Sequence, residues 1–295
     1  MHLIIGANGR IGRRVVNTLA RKQAPTRVFV RDVVKAQTHF GEQVEVAEGD
    51  LTDPGSLQPA MEGVSHVLLC SPVHPEQVAQ QNAVIDAAVS AGKPYVVKIS
   101  GLGTHRDSFV DSGRWHAETE DYLAQSGLEY TCLQPYFFMQ NLVFQAQQIR
   151  KTGKLFSGVP HQAIAMVDAR DISDAVVSLF AAPEKALNQS VPLTGDVLTY
   201  QQMAQVLAEE LDCAVAFEPQ TLEQVEANLR RAGQEEWHLQ LLLQFNKAFN
   251  EGLGAETHPA LEQILGTRPR SFRQFVREEM AAVGDTTLDD DPFPS

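Results

Sequence analysis

An apolar tetrad, HLII, runs straight into GANGRIG and from there into RRVVNTLA. A buried strand that must turn sharply, bare its backbone amides and enter a helix needs residues without a Cβ at the turning points. Gly6, Gly9 and Gly12 meet that need. Gly6 permits the turn, Gly9 lets a diphosphate approach the backbone, and Gly12 brings helix and strand together. Asn8, Arg10 and Ile11 fill the positions between them and share the candidate cradle. The positive end of the following helix faces whatever anion the turn receives.

Beyond this turn, short apolar runs alternate with helical patterns: TRVFVRD, VEVAEGDL, HVLLCSP, a helix through VAQQNAVIDAAVSAG, PYVVKIS, HAETEDYLAQSG and EYTCLQP. Strands apolar on both faces, separated by amphipathic helices, predict a doubly wound α/β fold of Rossmann type with a parallel sheet covered on both sides. In the first helix Ile11, Val15, Val16 and Leu19 share the face that packs on the sheet. IAMVDARDISDAVVSLFAAP adds a further strand and helix, with Asp171 as the expected N-cap. After VPLTG the pattern becomes helical, broken only by CAVAFEP. The predicted organisation is a sheet domain over 1–155 completed by about 163–195, a smaller and mostly helical C-terminal lobe over 196–284, and a disordered acidic tail over 285–295.

The net charge of −13 disfavours direct binding to DNA, RNA or anionic membranes, so an anionic ligand must be held by local groups. No charged leader precedes the first strand and no apolar run is long enough to cross a bilayer, which points to a soluble, cytoplasmic protein. Cys70, Cys132 and Cys213 lie far apart and are expected to be buried, reduced thiols. A homodimer is compatible with this composition.

About 20 residues beyond the glycines, the second strand ends in the residue that distinguishes dinucleotides. A carboxylate there binds a ribose 2′-hydroxyl, whereas a cation accepts a 2′-phosphate. Here Arg31 is followed by Asp32, with Lys35 one helical turn on, so NADP(H) is favoured over NAD(H). The alternative for these charges is a solvated surface cluster. Ligands of such sheets bind beyond the carboxyl edge, which places Asp50 and Leu51 near the adenine, Ser71 and Pro72 near the ribose and pyrophosphate, and Ser100 and Gly101 near the nicotinamide.

With these residues stand longer matches: VRD at 30–32, GDL at 49–51, KIS at 98–100, HAETEDYLAQSGLEYTCLQPYFFMQNL at 116–142, VDARDISDAV at 167–176 and LGTRPRSFRQF at 265–275. Together they resemble the NmrA-like, atypical branch of the short-chain dehydrogenases/reductases, in order and over nearly the whole chain. The resemblance implies a dinucleotide-binding domain, a small C-terminal lobe and a substrate cleft between them. Similar members include NAD(P)H:quinone reductases, triphenylmethane-dye reductases and non-enzymatic NADP-sensing regulators.

Ordinary short-chain dehydrogenases use a Tyr-x-x-x-Lys pair to move a proton. No tyrosine of this chain has a lysine four residues on; on the corresponding helix stands His116. This weakens alcohol dehydrogenase, epimerase and dehydratase readings. Quinones, azo groups and cationic dyes accept hydride at an electron-poor conjugated centre and take a proton from water, so reduction remains open. His116 and Tyr136 are the catalytic candidates, His116 as a stabiliser of the nascent anion or proton donor. Alternatively His116 orients the nicotinamide ribose or pairs with Glu120 on the same helix face. Tyr136 and Phe137 also border the cofactor, and Tyr136, Phe137, Phe138 and Met139 offer a flat apolar wall to an aromatic acceptor. Asn141 either bonds the substrate or ties down the turn, while Trp237 and Phe245 are cleft candidates on the lobe. No histidine spacing suits a metal and no GxSxG elbow is present. The expectation is an NADPH-dependent reductase of small conjugated acceptors; the alternative is an NADP(H) sensor acting through a protein partner.

Overall fold

A computed structural model describes residues 1–281. The predicted tail, and the predicted end of the lobe at 284, lie outside the described residues. In chain order the elements are β1 (His2–Ile5), α1 (Arg10–Arg21), β2 (Thr26–Val30), α2 (Val33–Phe40), β3 (Glu45–Glu48), α3 (Leu57–Ala60), β4 (His66–Leu69), α4 (Gln77–Ser90), β5 (Tyr95–Ile99), α5 (Asp111–Gln125) and β6 (Tyr130–Pro135). There follow β7 (Phe137–Phe138), α6 (Ala146–Thr152), β8 (Lys154–Ser157), β9 (Ile164–Val167), α7 (Ala169–Ala181), β10 (Gln189–Leu193) and β11 (Val197–Leu198). The chain continues through α8 (Tyr200–Leu211), β12 (Ala216–Pro219), α9 (Leu222–Arg231), α10 (Glu236–Asn250), α11 (Ala260–Leu265) and α12 (Phe272–Phe275).

Seven strands form one sheet in the order β10-β6-β5-β4-β1-β2-β3. Every neighbouring pair is parallel, as strands apolar on both faces require. The strand period of two sends alternate residues to two different cores. Ile4, Val28, Leu68, Val97 and Ile99 join Val15, Val16 and Leu19 of α1 and Ile172, Val176 and Leu179 of α7. Leu3, Ile5, Val67, Leu69 and Val96 meet Leu57 of α3, Ile85 of α4 and Leu123 of α5 on the other face. The strand order reverses between β1 and β4, so a crevice opens beyond their carboxyl ends.

A third core unites the lobe with a small sheet of order β11-β9-β7. Thus β9, read from sequence as one more strand of the sheet domain, sits in this smaller sheet, and β10 completes the large one. In turn β8 pairs with β12 of the lobe, while Leu261 and Ile264 of α11 pack back into the first core. Lobe and sheet domain therefore exchange segments.

Helix α7 starts one turn before the expected cap. Asp168 caps it, its Oδ1 accepting from the Arg170 N–H at 2.8 Å. Asp171 is instead buried inside the first turn, where it accepts from the Arg270 backbone N–H at 2.7 Å and pairs with the Arg270 guanidinium. This corrects its assignment as N-cap: a DxxD spacing offers two acids, and the distant Arg270 claims the second. The cysteine expectation also needs correction, since Cys132 is buried but Cys213 is exposed and Cys70 half-buried. Among the described residues no helix is long and apolar enough to cross a membrane.

Candidate functional site at the carboxyl edge of the sheet

The glycine turn is built as a cradle. Gly6 has φ +79°, and a Cβ there would overlap the carbonyl of Cys70 at the end of β4. A Cβ on Gly12 would overlap the Gly6 carbonyl, so helix and turn touch backbone to backbone. Gly9 differs: its added Cβ would meet only the Gly6 carbonyl oxygen, at 3.3 Å, so the side open to a ligand is clear. Gly9 is the residue before α1 and caps it with no side chain, leaving first-turn N–H groups for an anion. Ile11 is buried in the first core, so only its backbone can face a ligand. The Asn8 Oδ1 is buried without a hydrogen-bond partner among the described residues, as are the Oε1 of Gln81 and the Oδ1 of Asn82 on α4. Gln81 donates to the Ser71 hydroxyl at 2.8 Å. These unsatisfied acceptor oxygens fit a polar ligand that brings donors such as ribose hydroxyls.

At the end of β2, Asp32 caps α2, its Oδ1 accepting from the Lys35 N–H at 2.8 Å. The carboxylate is turned to the helix. Arg31 and Lys35 are exposed and make no ion pair among the described residues. Asp50 accepts from the backbone and hydroxyl of Thr52 at 2.9 and 2.8 Å; these bonds chiefly, with nearby Arg31 helping, hold its carboxyl below the usual range. Leu51 is half-buried against the core and Pro72 is exposed.

At the end of β5 stands a residue the sequence reading passed over. Lys98 shares the α4–α5 face of the sheet with Val96 and is 0% exposed. Its Nζ lies 3.0 Å from Nδ1 of His116, itself 6% exposed, and Gln77 Nε2 of α4 lies 3.3 Å from the same nitrogen. His116 does not pair with Glu120, correcting that alternative. The Glu120 carboxylate is claimed by the Ser100 hydroxyl, by Gln134 at 3.1 Å and by Ser190 at 2.6 Å. A Cβ on Gly101 would come within 3.2 Å of the His116 ring, so the glycine after Ser100 makes room for the imidazole. A lysine inside the apolar run VVKIS was the signal available in the sequence, because a charge there must be either paired or functional.

Burial, then the neighbouring Lys98 cation, holds the His116 pKa well below its ordinary value. In the unfolded chain this imidazole takes up a proton as pH falls through about 6.5, whereas in the fold it stays neutral, so acid favours unfolding. Between pH 7 and 5.5 this group is expected to remove about 1 kcal/mol of stability. His116→Gln should lose correspondingly less over that interval in urea melts; His2 and His66, also lowered by burial, contribute equally to both proteins. Equal pH slopes would show that His116 titrates normally when folded.

After β6 the four aromatic and sulfur side chains separate. Tyr136 is half-buried, its hydroxyl 3.3 Å from Nε2 of His258 on the segment returning from the lobe. Phe137 meets the Phe249 ring edge-on at 6.1 Å, and Phe249 stacks on Phe245. Phe138 packs on the first core. Met139 is fully buried in the lobe core, which corrects its assignment to an acceptor wall: a flexible apolar side chain at a turn fills the gap beneath it. Asn141 is exposed. On the lobe, Trp237 of α10 meets His74 of the loop after β4 at 5.3 Å, and Gln244 accepts from the Asp111 N–H at 2.8 Å while donating to its carboxylate at 3.0 Å. Helix α10 thereby packs on the loop after β4 and on the start of α5, at the carboxyl edge of the sheet.

The chain and its fold are similar to those of known proteins. The chain is 32% identical over 285 residues to an NAD(P)H azoreductase of Xenophilus azovorans, covering 96% of this chain and 99% of that one. Its fold superposes with TM-score 0.84 on the NADPH-dependent quinone oxidoreductase of Escherichia coli in complex with NADPH, at 23% identity over 96% and 99% of the two chains. The triphenylmethane reductase of Citrobacter sp. complexed with NADP(H) superposes equally well, at 0.84 and 23% identity over 94% and 99%. The model of the NmrA-like family matches residues 2–272. With that match and a relative similar over nearly its full length, the chain belongs to the NmrA-like family.

Proposed function

We propose that this protein is an NADPH-dependent reductase of quinone-like or azo-like conjugated acceptors, working in the cleft between sheet and lobe without a Tyr-x-x-x-Lys relay. The observation that carries it is the meeting, at one edge of one sheet, of a glycine turn open at Gly9 and a buried imidazole beside Lys98. The similarity to an NAD(P)H azoreductase supports the reaction class. Gly6, Gly9, Gly12 and the first turn of α1 would hold the pyrophosphate. Ser71, with Gln81 behind it, would hold the adjoining ribose, and Arg31 with Lys35 the 2′-phosphate. The bound dinucleotide supplies the hydride.

The chain's own residues do the rest. Tyr136 and Phe137 border the site, and Trp237, with its indole N–H on Glu235 at 2.6 Å, narrows the cleft against water. His116 presents a neutral ring to the charge that reduction creates. With purified protein, NADPH and a panel of quinones and azo dyes, loss of the nicotinamide absorbance is expected with at least one acceptor. No turnover with any of them, together with tight and unequal binding of oxidised and reduced cofactor, would replace this reading by a sensor.

A further inference from the structure

We propose that Lys98, acting through His116, makes this pocket select acceptors that become anions on two-electron reduction, of the quinone or azo class, over triarylmethyl cations. The proposal rests on the reductase reading above. Both groups facing His116 Nδ1, the Lys98 Nζ at 3.0 Å and the Gln77 Nε2 at 3.3 Å, are N–H donors. Nδ1 is therefore the acceptor, and the single proton of the neutral ring sits on Nε2. That nitrogen has no protein partner among the described residues and lies beside Gly101 at the strand end. It is a donor aimed at the ligand edge.

Behind it sits a positive charge with no carboxylate in ion-pair range among the described residues. Burial pulls the Lys98 pKa down, while the potential of the Glu120 carboxylate on α5 favours the charged form. Glu120 is committed to three hydrogen-bond donors, Ser100, Gln134 and Ser190. In such a low-dielectric site an ammonium behind an N–H donor strengthens that donor toward negative charge and opposes a second cation. A quinone oxygen or azo nitrogen gains negative charge on reduction. A triarylmethyl cation arrives positive and leaves neutral, so it gains nothing there and is repelled on entry. Lys98 is thus a positioning residue that sets acceptor charge preference.

The test compares kcat/KM for a neutral quinone, a neutral azo dye and malachite green at saturating NADPH, in the wild type and in Lys98→Met. The variant is expected to lose about tenfold or more on the neutral acceptors and to hold or gain on the cation. Equal factors on all three would mean a merely structural lysine and overturn the proposal. A second measurement needs no turnover: heteronuclear NMR of the His116 ring in the wild type should show the Nε2–H tautomer, still neutral well below the ordinary imidazole pKa. A proton on Nδ1, or titration near 6.5, overturns the proposal even where the acceptors are reduced. Absence of turnover with every acceptor, despite the expected tautomer, strikes the reductase reading and the selectivity with it.

Discussion

Gly6→Ala is expected to destabilise the protein by about 3 kcal/mol or more, with a matching fall in the urea midpoint. Two independent costs combine. The residue has φ +79°, a conformation that costs an L-residue roughly 1–2 kcal/mol. The new methyl also lands on the Cys70 backbone carbonyl at the end of the neighbouring strand β4. A backbone carbonyl directly after a buried parallel strand cannot swing aside as a flexible side chain can, so the chain ends of β1 and β4 must shift apart. Gly63→Ala separates the two terms, because Gly63 has φ +69° with nothing within 4 Å of its added Cβ. It should cost about 1 kcal/mol. Similar losses for the two substitutions would mean that the contact with Cys70 contributes nothing.

Arg31→Ala is expected to weaken NADPH binding by about 10–100-fold while changing NADH binding by less than about threefold. A hydrogen bond to a charged group contributes roughly 1.5–3 kcal/mol, and each 1.4 kcal/mol is about tenfold in affinity. NADH has no 2′-phosphate to lose. Asp32 does not compensate, since its carboxylate is occupied with the Lys35 N–H. Asp32→Ala should therefore cost about 1 kcal/mol of fold stability through the lost cap, with little change in cofactor preference. Fluorescence titrations of both nucleotides against the three proteins decide the matter. Equal losses of NADPH and NADH in Arg31→Ala would remove the 2′-phosphate from Arg31.

The two predictions touch parts of the molecule that were legible to different degrees. The strand, turn and helix around Gly6, the parallel sheet and its helical cover follow from periodicities of two and 3.6 and from glycines at fixed offsets. All of these are local properties of a chain, and the structure returns them as expected, with α1 burying Ile11, Val15, Val16 and Leu19. The positions of Arg31 and Asp32 were equally visible, but which of the two remained open to a ligand was not. That depended on whether the acid would cap α2, and a hydrogen bond to Lys35 decided it.

Contacts across long separations lay outside the reach of such reasoning. His116 has a helical neighbour of the right spacing in Glu120, yet its partners are Lys98 on a strand and Gln77 on another helix. Asp171 looked like a cap until Arg270, ninety-nine residues on, took it. Likewise β9 is a sound strand by pattern, but its place in the smaller sheet follows from β7 and β11. Sequence period and turn chemistry dictated the elements and the cradle because both act over a few residues. Only the packed chain settled which buried polar groups meet, since a charge out of water takes whatever partner the fold brings within 3 Å or so, whatever its distance along the chain.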